Sequence, residues 1–149
     1  TFSVSFVKVL SKKVKTFKVP TSVTYNGVSY QVVSIGKKAF TGCKKLKKIS
    51  IGSNVKTIND EAFYSCSVLK SITIPSSVTK IGKEAFAKCK KLSSIKIKSN
   101  NLTASKIGKN AFKDIKSNAT FKVPKEKMKA YKAMLKKKGV GKKTKFKKL

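Results

Sequence analysis

The chain has 149 residues, 37 basic and 5 acidic, for a formal net charge of +32, with no histidine and no tryptophan. That length suits one domain with a core of its own, and no apolar run approaches the ~20 residues that a membrane span needs. Without histidine the commonest general base and the commonest metal ligand are both missing, and because every basic residue is lysine, so is the arginine fork that reads guanine edges.

The opening residues, TFSVSFVKVL, lack the charged start and long apolar stretch of a signal peptide and read as a strand. Val14, Phe17 and Val19 follow in VKTFKVPTS, and then TSVTYNGVSYQVVS, where Asn26-Gly27 separates two alternating runs. Such a pair between alternating runs is a two-residue hairpin signal. These pieces are expected to shield the open edge of what comes next.

From Ile35 onward the chain repeats itself. Ile35, Ile58, Ile81 and Ile107 open the phrases IGKKAFTGCKKLKKISI, INDEAFYSCSVLKSITI, IGKEAFAKCKKLSSIKI and the degenerate IGKNAFKDIKSNATFKV, at spacings of 23, 23 and 26. A period of this size is the mark of a solenoid, whose units bury their apolar face only against their neighbours. Ala39, Phe40, Cys43 and Leu46 fall on one face of a short helix, and Ile49 and Ile51 alternate around Ser50 as in a half-buried strand. A turn follows, with Asn54, Ser77 or Asn100 placed to satisfy its backbone in a polar ladder. In the fourth coil Ile115 stands at the cysteine position and Asn118 at the leucine position. Downstream, PKEKMKAYKAMLKKKG reads as a helix, with Pro124 near its start, an apolar stripe of Met128, Tyr131, Met134 and Leu135, and Gly139 at its end.

The phrase I-G-x-x-A-F-x-x-C-x-x-L-x-x-I-x-I resembles the BspA-type leucine-rich repeat of bacterial surface and secreted proteins. The match is best over residues 35–123, and the flanking hairpin and lysine-rich terminal helix also look like that family. Together, period and resemblance lead to one domain over 1–149, an α/β leucine-rich-repeat solenoid. Short parallel strands lie on one face and short helices on the other. Residues 1–34 form an N-terminal β-hairpin cap with a first partial coil, 35–123 the repeats, and 124–149 a C-terminal helical cap and tail. What the resemblance implies for function is adhesion and surface binding in a secreted or cell-surface bacterial protein, not catalysis.

Candidate sites are few. Cys43, Cys66 and Cys89 recur at one repeat position, so they line up in a row instead of converging on a metal, and Ile115 at the same place makes them buried free thiols. Asp60, Glu61, Glu84, Asp114 and Glu126 fall near the first turns of expected helices, where negative charge is favourable; no nucleophile–base pair or phosphate loop accompanies them. Neither a cofactor nor a metal is expected, and the chain is not an enzyme on this reading.

The outward strand positions are Thr16 and Lys18, Lys48 and Ser50, Ser71 and Thr73, Ser94 and Lys96, and Thr120 and Lys122. They give a face of hydroxyls and ammonium groups suited to phosphate, carboxylate or sulfate oxygens and devoid of stacking platforms, though such residues are also ordinary on exposed strands. The candidate binding set is Lys18, Lys48, Ser50, Ser71, Thr73, Ser94, Lys96 and Lys122. The expected partner is an acidic protein or an anionic wall or host glycan polymer, bound by a monomer without membrane insertion. A structural spacer or terminal module of a larger surface protein is the alternative. Non-specific nucleic-acid binding comes third, since charge is present but arginine and a recognition motif are not.

Overall fold

Isoleucine at the head of each repeat ties one coil to the next. The computed structural model describes residues 1–149. Ile35 ends strand β4 (Val28–Ile35), while Ile58 and Ile81 end two-residue strands. The first of these heads a row. β4 pairs in parallel with β6 (Thr57–Ile58), and β6 with β8 (Lys80–Ile81), each isoleucine opposite the next. Ile107 continues that row through a single bridge to Ile81.

The row also runs upstream. β1 (Phe2–Phe6) pairs in parallel with β4, with Phe6 opposite Ile35, so residues 2–19 form a shortened first coil. β2 (Thr16–Lys18) ends it and pairs with β5 (Lys48–Ser50). β3 (Ser22–Tyr25) runs antiparallel to β4. The hairpin closes through Asn26 and Gly27 with φ of 49° and 71°, the left-handed pair that a type I′ turn requires. This hairpin does not shield the solenoid end. It occupies one side of β4, β1 occupies the other, and β1 is the outermost strand of its sheet.

The second strand of each coil builds the broad sheet. β7 (Ser71–Ile74), β9 (Ser94–Ile97), β10 (Thr120–Val123) and β11 (Lys145–Lys148) form one parallel ladder, with Ile72, Ile95, Phe121 and Phe146 in register. β2 and β5 form a separate pair.

Turns take the place of the short helices expected opposite the sheet. In the first full repeat the N–H groups of Ala39, Thr41, Cys43 and Leu46 donate to carbonyls three residues back, at 3.0–3.2 Å. The intervening N–H groups of Lys38, Phe40 and Gly42 donate instead to Asp60, Ala62 and Tyr64 of the next coil, at 2.7–3.0 Å. Alternation of this kind cannot continue as a helix, in which every amide bonds within the segment. It needs a left-handed residue twice per coil: Lys38 and Gly42, Glu61 and Ser65, Glu84 and Lys88, Asn110 and Asp114, all with φ between 53° and 70°. The result is a backbone ladder on the turn side as well as on the sheet side.

Inside, like stacks on like. Phe40, Phe63, Phe86 and Phe112 lie nearly parallel, with ring centroids 5.1–5.3 Å apart. Phe6 extends the stack at one end, and Phe121 closes it edge-on at the other. In the degenerate coil Asn118 is exposed and Ala119, one residue later, fills the leucine place. The far end is capped by helix α1 (Met128–Lys136), which buries Tyr131, Met134 and Leu135. The Tyr131 hydroxyl donates to the Ser99 carbonyl at 2.8 Å and accepts from the Leu102 N–H at 3.1 Å, bolting the helix to the turn of the third coil. That turn uses Ser99, the one buried polar residue, whose hydroxyl donates to the Val78 carbonyl. Asn100, expected in the polar ladder beside Asn54 and Ser77, is exposed.

Phe63→Ala, in mid-stack, is expected to cost about 3–5 kcal/mol in urea unfolding. Tyr131→Phe is expected to cost about 1–3 kcal/mol, because two buried backbone groups lose their partner. Burial holds the Tyr131 pKa above the usual value. Stability is therefore full below the ordinary tyrosine range and falls as pH rises through it, since the unfolded chain ionises first. A denaturation series above pH 9 should show a shallower alkaline decline in the phenylalanine variant.

Candidate functional site

All eight residues of the expected binding set stand on the sheet side. Lys18, Lys48, Ser50, Ser71, Thr73 and Lys122 are exposed; Ser94 and Lys96 are half-buried. Cross-strand register places Lys18 opposite Ser50, Ser71 opposite Ser94, Thr73 opposite Lys96, and Lys122 opposite Lys96. β11 adds Lys145 and Lys147 to the rows of Thr120 and Lys122. The face is not continuous, however. No ladder joins β5 to β7, so Lys18, Lys48 and Ser50 lie on one side of a break and the other five residues beyond it.

At the break the surface opens into a cleft of about 410 Å³. It contains Lys48, Ser50, Ser71 and Thr73 of the expected set, and it recruits Ser53, Ser76 and Lys98 from the turns that follow the strands. Pro75 was the available signal for this feature, because proline is confined to edges and irregularities of sheets. A second concavity, of about 440 Å³, lies where the turns run into the strands and gathers Lys70, Lys90, Lys91 and Lys116 around Ser93.

Charge is sorted by side. Asp60, Glu61, Glu84 and Asp114 all sit in the turns, and Glu126 in the 3-10 turn that leads directly into α1. Glu61 pairs with Lys38 at 3.7 Å, the one salt bridge of the molecule. Asp60 accepts the Lys83 N–H of the next coil at 2.7 Å. Expected to favour helix N-termini, these carboxylates instead serve turns: three of the five, Glu61, Glu84 and Asp114, adopt left-handed backbone. Lys88 lies over the Tyr64 ring at 5.2 Å, and hydrogen bonding to that tyrosine raises its pKa.

The three cysteines are free and buried. The Cys66 thiol donates to the Phe40 carbonyl and that of Cys89 to the Phe63 carbonyl, both at 3.1 Å. The row thus fastens each coil to the one before it. Burial pushes the Cys43 thiol up, and the neighbouring Cys89 thiol together with burial does the same for Cys66, so neither is a ready nucleophile. No three acidic or cysteine side chains gather as a metal-ligand set, and no helix is long and apolar enough to cross a membrane.

Parallel coils around a stacked apolar ladder define a leucine-rich-repeat solenoid. The chain belongs to the BspA-type leucine-rich repeat family, whose region matches in 6 copies over residues 11–138. Among solved structures it resembles a leucine-rich repeat protein of T. pallidum, at 24% identity and a TM-score of 0.62, over 78% of this chain. It spans 61% of that protein's length. A leucine-rich repeat protein from Bacteroides capillosus is 28% identical over 60% of this chain and 78% of its own, with a TM-score of 0.42. The pneumococcal vaccine antigen PcpA is 20% identical over 83% of this chain and 44% of its own, with a TM-score of 0.48. Among curated proteins none matches.

A thiol-specific reagent is expected to leave all three cysteines unmodified in the native protein and to modify three per chain in denaturant. Rapid native reaction would show that the row is open to solvent.

Proposed function

We propose that this protein is a non-enzymatic binding module of the bacterial surface or its secretions, which holds an anionic partner on the sheet side of the solenoid. One observation carries the reading: that side presents hydroxyls and ammonium groups, while four of the five carboxylates lie in the turns and the fifth before α1. An oxyanion approaching the sheet therefore meets donors without a competing acid. Membership of a repeat family built as an extended surface supports recognition of a polymer or protein. A monomer suffices, because each half of the face comes from a single chain. Lys18, Lys48, Lys96 and Lys122 supply the charge, and Ser50, Ser71, Thr73 and Ser94 the directional hydrogen bonds.

The spread of lysine over sheet, turns and tail favours a second reading, in which the domain is a soluble spacer or terminal module of a larger surface protein. Specific nucleic-acid binding ranks below both, for want of arginine.

Binding to dextran sulfate should weaken steeply with salt. In K48Q/K96Q/K122Q the slope of log affinity on log salt should fall by about two to three, near one for each ammonium–sulfate pairing removed. An unchanged slope and affinity would remove the sheet from consideration and leave the spacer reading.

A further inference from the structure

We propose that the break between β5 and β7 is a cleft for an anionic sugar unit, the carboxylated or sulfated residue of an acidic polysaccharide. This rests on the reading of the sheet side as the binding face, and it names the place on that face and the ligand.

The break has a backbone cause. In the third coil the Lys98 N–H donates to the Ile74 carbonyl at 2.9 Å. One coil earlier the same position is Pro75, which has no N–H, and the Ile51 carbonyl accepts no backbone bond. The other end of the strand is open too. Ser93 and Ser94 donate to the Lys70 carbonyl, and Lys47 and Lys48 to that of Lys15. In the coil between, the Lys47 carbonyl accepts nothing and the Lys70 N–H finds no backbone partner. Everywhere else along this side the strands are laddered. A gap with unmatched backbone groups at both ends is thus built in at one point only.

The lining specifies the ligand. Ser50, Ser53, Ser71, Thr73 and Ser76 bring five hydroxyls to the cleft. The hydroxyls of Ser77, Ser93 and Ser99 are committed to neighbouring carbonyls, whereas none of these five has a protein partner. A hydroxyl both donates and accepts, so a row of them complements a polyol. Lys48 and Lys98 add the positive charge, and neither has a carboxylate against it, since the one salt bridge lies in the turns. Ile51 and Pro75, both half-buried, line the cleft with hydrocarbon for a sugar's C–H face. The volume, about 410 Å³, falls in the range of small-ligand sites, roughly 300–1,000 Å³. A peptide added as a strand does not fit. The Cα atoms of β5 and β7 approach within 8 Å, and an inserted strand needs about 9.6 Å between its neighbours.

The test is calorimetric titration with tetragalacturonate and with a heparin-derived tetrasaccharide, the carboxylated and sulfated sources, beside maltotetraose and tetraglutamate. One or both anionic sugars should bind at least about tenfold tighter than the neutral sugar and the acidic peptide. S71A/K98Q should lose about tenfold or more, as expected for a charge-assisted hydrogen bond. P75A keeps every lining charge and hydroxyl, restores an N–H opposite Ile51, and should also lose the oligosaccharide while remaining folded. Equal binding of tetraglutamate, or undiminished sugar binding by P75A, overturns the proposal. Dextran sulfate binding without oligosaccharide binding sinks the cleft alone, and failure of both sinks the binding face with it.

Discussion

Each coil of this protein can bury its apolar residues only against the same positions of the coils beside it. That constraint fixes nearly everything else. Rings of Phe40, Phe63, Phe86 and Phe112 keep a spacing of 5.1–5.3 Å, close to the distance between hydrogen-bonded strands. Side-chain stacking and backbone pairing therefore reinforce one another. Cysteine suits its row because a small thiol fills the space and still donates to the preceding coil. Ile115 fills the same space without that bond. The molecule behaves as a one-dimensional array in which each interface depends on its two neighbours.

Much of this was legible from residue spacing. The isoleucine that opens each phrase, the buried Ala-Phe pair and the alternating strand all occupy the places that their periodicity assigns. The turn side was not. Ala39, Phe40, Cys43 and Leu46 satisfy helical spacing and equally satisfy a chain of turns, and only the backbone decides between them. Gly42 hinted at left-handed geometry, but Lys38 and Glu61 adopt it against their own preference, held there by bonds to the next coil. Ser99, not Asn100, takes the buried place in the third turn. The sheet-side residues were readable from alternation alone. The cleft among them needed Pro75 to be compared with Lys98, its counterpart one coil on.

The proposed binding role rests on sorting, not on amount. Lysine is everywhere on the surface, so its abundance argues for solubility as much as for binding. What separates the two sides is where acids are tolerated. The turns use carboxylates as a backbone partner and as left-handed residues, whereas no carboxylate stands on the sheet strands. Sheet-side positions thus remain donors throughout, and the single interruption of the ladder turns an otherwise shallow face into a pocketed one.

The two ends of the solenoid are unequal. β11 reads KFKK and carries its own deterrent to strand pairing, three ammonium groups on an open edge. β1 reads FSVSF, with Phe2 64% exposed and no charge along its length. What protects that edge is the long-range repulsion of a molecule carrying +32, and repulsion of this kind fades within a screening length of about 8 Å at physiological ionic strength. Colloidal stability at one end is therefore written into the strand, while at the other it depends on the surrounding solution. A polyanion that neutralises the surface strips the bare edge of its protection at the same moment as it binds.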